Sequence, residues 1–368
     1  MNKDRLLQEF LELVQIDSET KYERGIADVL TTKFENLGMN VVEDNSAEKT
    51  GHGAGNLICT MEGELDGPVI YFTSHMDTVV PGLDVKPEVR DGVVYSDGTT
   101  VLGADDKAGI AAMLEAVRTI QEKGIKTGGL QFIITAGEES GLVGARHLDT
   151  SLIHAAYGYA LDSDGPVGTL ITSAPNQSKL YAVVHGKKAH AGVAPEKGIS
   201  AIEVASKAIA SMPLGRIDEE TTANIGRIEG GSQTNIVCDR VEMKAEARSL
   251  VKEKMTAQTE AMRQALEQAA SEAGTDVDID IHVVYPGYKQ AEEDEVVQRA
   301  KKAVEQIGRS PQVKSSGGGS DANIIAGHGI PTINLGTGYE EIHTTEERIS
   351  IEELEKLALL VEAIMKGE

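Results

Sequence analysis

The sequence predicts an α/β protein with a mixed central sheet flanked by helices, interrupted by a smaller α+β domain. Three observations carry that expectation. From the N-terminus to Pro175, apolar strand-like runs alternate with amphipathic helical stretches. The order then changes to strand, helix, strand, strand, helix, strand, the split βαβ pattern of a small ferredoxin-like sandwich. After Pro286 the first alternation returns. At 368 residues the chain exceeds one ordinary core. One domain is therefore expected over 1–175 and 287–368, with a second inserted at 176–286.

The elements follow from periodicity. Leu6, Phe10, Leu13 and Val14 form one helical stripe, and Ile26, Val29, Leu30 and Phe34 another. Asn56–Met61 and Val69–Thr73 read as strands, and Asp91–Thr100 as a hairpin with an Asp-Gly turn. Lys107–Lys123 is a helix closed by Gly124. Leu130–Thr135 and Tyr157–Leu161 are further strands. In the inserted segment the strands are Lys179–Val184, Thr222–Glu229, Arg240–Ser249 and Val277–Tyr285, and the helices Ile199–Met212 and Glu253–Ala273. The helix Glu293–Ile307, the strand Pro331–Leu335 and the helix Ile351–Met365 complete the first domain.

Composition narrows the function. Apolar residues make up 40% of the chain but aromatics only 4%, and Trp is absent, so packing rests on Val, Ile, Leu, Ala and Met. The formal net charge of −24 repels phosphate backbones and anionic headgroups, which argues against nucleic-acid and membrane partners. Two cysteines, Cys59 and Cys238, make neither a disulfide framework nor a cysteine-based zinc site. The first residues form an amphipathic helix rather than a signal peptide, and no apolar run approaches the length of a membrane span. A cytoplasmic protein is expected.

Five groups suited to binding cations lie at or just beyond the carboxyl ends of predicted strands, where open α/β sheets place their ligands. They are His75 in SHMDT, Asp105 in LGADDKAG, Glu139 in TAGEESG, Asp162 after YGYAL, and His343 in YEEIHTTEE. Each has a duller explanation on its own. Asp105 or Asp106 would serve as a helix N-cap, the paired glutamates as an acidic loop, and the histidines as ordinary loop residues. Asp164 competes with Asp162. Their shared placement is harder to explain that way, because random positions would scatter over both sheet edges. Two imidazoles and three carboxylates also match what paired divalent cations accept. In such a site one glutamate of a pair can ligate while the other acts as general base.

These motifs, in this order, resemble the co-catalytic zinc peptidase family of peptidase T, glutamate carboxypeptidase, succinyl-diaminopimelate desuccinylase and acetylornithine deacetylase. The likeness covers nearly the whole chain and is nearest to the peptidase T-like members. It implies a zinc exopeptidase-like catalytic domain and an inserted lid that also dimerises, giving a homodimer. It implies two zinc ions per subunit, with cobalt and manganese also suiting the ligands. Asp105 would bridge them, His75 and Asp162 completing one site and Glu139 and His343 the other. Glu138 would be the general base, Asp77 would orient His75, and a cis peptide would join Asp105 to Asp106. In the lid, His190 would support the oxyanion, Asn235 would touch substrate, and Arg248 would take a substrate carboxylate. Gly318 would line the substrate site within GGGSD. The implied activity is cleavage near the N-terminus of short peptides, as an aminopeptidase or tripeptidase. An N-acyl-amino-acid deacylase or carboxypeptidase on the same machinery is the alternative, and a non-catalytic metal-dependent binding protein a third reading. The stretch from Asp77 to Asp105 is shorter than in the tripeptidases of that family.

Overall fold

The computed structural model describes residues 1–367. They divide into two compact units. The first comprises Met1–Ser173, Gln290–Ser316 and the described chain from Ser320 onward; the second comprises Ala174–Lys289 and Gly317–Gly319.

In the first unit, the described strands of the main sheet run in the spatial order Asn40–Glu43, Leu57–Met61, Leu130–Thr135, Ile70–His75, Tyr157–Ser163, Thr332–Gly336 and Thr169–Ala174. Gln312–Ser315 pairs with the last of these. The central strands, from Leu130–Thr135 to Thr332–Gly336, are mutually parallel. Their flanking neighbours join antiparallel. Parallel strands covered on both faces need continuous apolar runs, and LQFIIT and the run IYFTSH are buried at every position. One consequence governs the site: the parallel strands all deliver their carboxyl ends to the same sheet edge.

Aromatic residues, though few, are concentrated in this sheet. Phe72 lies 5.9 Å from Phe132 and 5.6 Å from Tyr159, and Phe132 lies 5.6 Å from Phe34. Such pairs add about 0.5–1.5 kcal/mol each beyond the area they bury. Gly158 pairs with Tyr71 across the strands, and any Cβ there would come within 2.1 Å of the Tyr71 ring. The helix Ala104–Glu122 is buried along nearly its whole length and packs against Lys3–Val14 and Ile351–Lys366. Its small residues, Ala108, Gly109, Ala111, Ala112 and Ala116, let neighbours pack closely, so the helix is buried on nearly all sides although it carries Lys107 and Glu115. Gly124 follows its end at φ 63°, as a left-handed terminator should.

The hairpin differs from expectation. Its strands are Glu88–Arg90 and Val93–Tyr95, so the turn is the Asp91–Gly92 pair that opens the expected range, and the first strand lies before Asp91–Thr100. Asp91 and Gly92 both have positive φ, 50° and 77°, which a two-residue turn matching strand twist requires. The second Asp-Gly, Asp97–Gly98, instead lies in a tight loop closed by Ser96 Oγ on the Thr100 carbonyl.

The second unit is a ferredoxin-like sandwich. Its antiparallel strands lie in the order Gly215–Arg216, Thr221–Gly230, Arg240–Ser249, Asn176–His185 and Val277–Tyr285. Burial alternates along Arg240–Ser249, so one face packs on helices Ala201–Ser211 and Lys252–Ala273 through Val241, Met243, Ala245, Val204 and Leu266. No helix among the described residues is long and apolar enough to cross a membrane.

Candidate metal centre

His75 is the last residue of its strand, and Asp162 the second-last of Tyr157–Ser163. Glu138 and Glu139 follow the strand Leu130–Thr135, whose Thr135 pairs with His75. His343 sits at φ 62° in the turn after Tyr339–Glu340. Asp105 opens the buried helix, with non-helical φ −82° and ψ 99°, and a cis peptide joins it to Asp106.

Asp105 divides its two oxygens between the two histidines. Oδ1 lies 3.0 Å from His75 Nε2, and Oδ2 lies 3.2 Å from His343 Nε2. His343 Nε2 is also 2.8 Å from Glu139 Oε1, and His75 Nε2 is 3.9 Å from Asp162 Oδ1. Ligand atoms therefore converge in overlapping groups: His75, Asp105 and Asp162; Asp105, Glu139 and His343; and His75, Glu138 and Glu139. Asp164 is exposed, whereas Asp162 stands inside the cluster. Geometry alone leaves Glu138 among the donors.

Charge is crowded here. Burial, then the neighbouring Asp162, pushes the Glu138 carboxyl well above the usual range. Burial does the same to Asp162 and Asp106, and raises Asp321 to about 6. His343 rises to about 10 through its hydrogen bonds with Asp105 and Glu139. Burial opposes charge on His75, but contacts with Asp105 and Asp77 outweigh it and raise its pKa. Buried carboxylates at this density demand cations. Two imidazoles and three carboxylates form a donor set that divalent metals accept, with one carboxylate placed to reach both. The residues fit a plausible dinuclear metal site.

Around the donors lies a layer of polar clamps. Asp77 is fully buried. Its Oδ1 accepts the Glu138 N–H at 3.0 Å and its Oδ2 the Glu139 N–H at 3.2 Å. His75 Nδ1 meets the Asp77 main-chain carbonyl at 2.9 Å, with the carboxylate farther away at 3.5 Å. The expected partnership of Asp77 with His75 thus runs chiefly through the main chain, because the carboxylate is committed to the glutamate turn. Other members of this layer carry no motif in the sequence. Asn334 holds the Asp162 peptide at both ends, accepting its N–H at 2.9 Å and donating to its carbonyl at 2.6 Å. The Tyr339 hydroxyl donates to Asp162 Oδ1 at 3.1 Å. Glu347 accepts main-chain N–H groups beside Asp105, and burial raises it to about 7 against their pull. Asp321 Oδ2 is held by Thr135 at 2.5 Å, while its buried Oδ1 has no hydrogen-bond partner among the described residues.

The remaining candidates belong to the second unit. His190 is exposed, and its Nδ1 accepts the Gly192 N–H at 3.2 Å. Asn235 is exposed too, and its carbonyl accepts the Ala191 N–H, so the two residues occupy adjoining loops. Arg248 Nε pairs with Glu246 at 2.9 Å, and its Nη1 donates to the Gly317 carbonyl at 3.1 Å. Gly318 is in the Gly317–Gly319 segment that groups with this unit.

Sequence and structure both relate this chain to known peptidases. Residues 71–367 match the model of peptidase family M20/M25/M40. A curated relative, the Bacillus subtilis (strain 168) protein called uncharacterized protein YqjE, is 62% identical over all of this chain and 99% of its own. The crystal structure of aminopeptidase PepT from Bacillus cereus ATCC 10987 superposes with a TM-score of 0.97 at 62% identity, covering 100% of this chain and 99% of that one. A Staphylococcus aureus tripeptidase superposes with a TM-score of 0.98 at 50% identity, covering 100% and 98%.

Proposed function

The chain belongs to peptidase family M20/M25/M40, and from that premise we propose that it is a cytoplasmic di-zinc exopeptidase releasing the N-terminal residue of short peptides. The observation that carries this reading is the division of the Asp105 oxygens between His75 and His343. The likeness to an aminopeptidase and a tripeptidase supports the choice of substrate. In this reading His75, Asp105 and Asp162 would hold one zinc, and Asp105, Glu139 and His343 the other; cobalt or manganese would suit the same donors. When bound, the ions supply Lewis acidity toward the scissile carbonyl and the attacking water.

The chain's own groups do the rest. Glu138 takes a proton from the water as its oxygen bonds to the carbonyl carbon. It passes that proton to the amide nitrogen as the C–N bond breaks, so one carboxylate serves both half-steps. Asp77 keeps Glu138 in place by fixing its main-chain N–H. His190 is assigned to the oxyanion, Asn235 and Gly318 to substrate contact, and Arg248 to a substrate carboxylate. The assembly in this reading is a homodimer built through the second unit.

The test is a panel of tripeptides, dipeptides and N-acyl amino acids offered to zinc-loaded enzyme. Release of free N-terminal residues from tripeptides is expected. Activity confined to N-acyl amino acids would replace the peptidase reading with a deacylase.

A further inference from the structure

Glu347 lies four residues after His343, in a stretch that looks like a run of surface acids, yet it is only 2% exposed. Its neighbour Glu346 is exposed. The Glu347 carboxylate accepts three main-chain N–H groups. Oε2 takes Leu102 at 2.7 Å and Gly103 at 2.8 Å, and Oε1 takes Asp105 at 2.9 Å. These donors belong to the turn that opens the helix Ala104–Glu122. There Gly103 is left-handed at φ 77°, and Asp105 and Asp106 are non-helical. The first N–H groups of a helix lack intrahelical acceptors, and a distorted first turn needs them from outside. Glu347 supplies them from a point more than two hundred residues away in the chain.

The same residue closes the turn that follows His343. Its own N–H donates to the Thr344 carbonyl at 3.3 Å, and the chain then enters the strand Arg348–Ser350. One side chain thereby connects the turn carrying Asp105 to the turn carrying His343. Both belong to the Asp105–Glu139–His343 group of donors. The other group shares Asp105, but its remaining donors are held without Glu347. Asn334 clamps Asp162 on both sides of its peptide, and the Asp77 carbonyl fixes His75.

We propose that Glu347 is a positioning residue that sets the separation of Asp105 and His343, and so determines cation binding at the Asp105–Glu139–His343 site selectively. The proposal rests on the two-metal reading of the centre, and the experiment separates the two. Full-length protein stripped with a chelator is titrated with Co²⁺ and followed by calorimetry and by visible d–d absorption. Wild type, Glu347→Gln and the exposed control Glu346→Gln are compared. Glutamine matches the size of glutamate but turns an amide toward N–H donors.

Glu347→Gln is expected to weaken one of the two cobalt sites about 10–100-fold, leaving the other within about threefold. Its d–d band should change shape. Turnover of a tripeptide should fall with KM little changed, while Glu346→Gln should match wild type throughout. Wild-type cobalt affinities and spectrum in Glu347→Gln would overturn the proposal. So would equal weakening of both sites together with a lowered melting temperature, which marks a merely structural role. Should Glu347→Gln fail to fold, Glu347→Asp, with its carboxylate one methylene short, takes its place in the titration. Selective weakening of one cobalt site would then support the proposal, and unchanged or equally weakened sites would overturn it. If wild type binds two cobalt ions but cuts no peptide, the proposed function fails, and the affinities still decide the role of Glu347.

Discussion

The two units handle charge in opposite ways. In the first, charged groups at the sheet edge are buried, and distant segments hold them: Asp77 grips the Glu138–Glu139 turn, Asn334 grips Asp162, and Glu347 grips the turn before Asp105. In the second, candidate functional groups are exposed or pair chiefly with near neighbours in sequence, although the Arg248 side chain also reaches farther, to the Gly317 carbonyl. His190 accepts from Gly192, and Arg248 is neutralised by Glu246 two residues away on the same strand. A buried charge is costly unless hydrogen-bonded, so burial forces a preorganised constellation. An exposed charge carries no such requirement. In the proposed function, chemistry and cation binding fall to the first unit and substrate contact to the second.

Substitutions in the two units should therefore differ in kind as well as size. The largest effect is expected from Glu138→Gln, which should lower kcat about 10²–10⁴-fold, the usual worth of a general base. Both cations should remain by elemental analysis. Retained turnover would remove Glu138 from the chemistry. Asp77→Asn comes next. It trades an acceptor of two main-chain N–H groups for a side chain with one acceptor oxygen, and should cost about 10–100-fold in metal affinity, measured against a competing chelator. The smallest effect belongs to Arg248→Ala. Loss of a charge-assisted contact should raise KM about tenfold for a peptide with a free C-terminal carboxylate. The C-terminally amidated peptide should be unaffected. Equal effects on both peptides would mean that Arg248 acts by packing, or through the Gly317 carbonyl it already holds.

How much of this was legible in the sequence depends on the range of the contacts. The parallel strands were readable because LQFIIT and its neighbours are continuous apolar runs between turn signals. The edge strand Asn40–Glu43 was not, because its side chains are exposed or half-buried and NVVE carries no strong alternation. The hairpin was readable in kind but shifted, since two Asp-Gly pairs compete and only the three-dimensional pairing chooses Asp91–Gly92. His75, Asp105, Glu139, Asp162 and His343 stood out as donors near predicted strand ends. Choosing Asp162 over Asp164 and Glu139 over Glu138 as ligand took the family resemblance, and Asp105 in fact opens a helix while His343 lies in a turn. Asn334, Tyr339 and Glu347 did not stand out, because each acts on a residue 172 or more positions away. The one local hint for Glu347 was its position just before the half-buried and buried run Arg348–Ser350.

The central claim is that Asp105 bridges two cations at the carboxyl edge of the parallel strands. Anomalous diffraction at the zinc edge, from crystals of the zinc-loaded protein, tests it most directly. The expected map holds two peaks flanking the Asp105 carboxylate, one against His75 and Asp162 and the other against Glu139 and His343. A single peak, or two peaks that do not share Asp105, would contradict it.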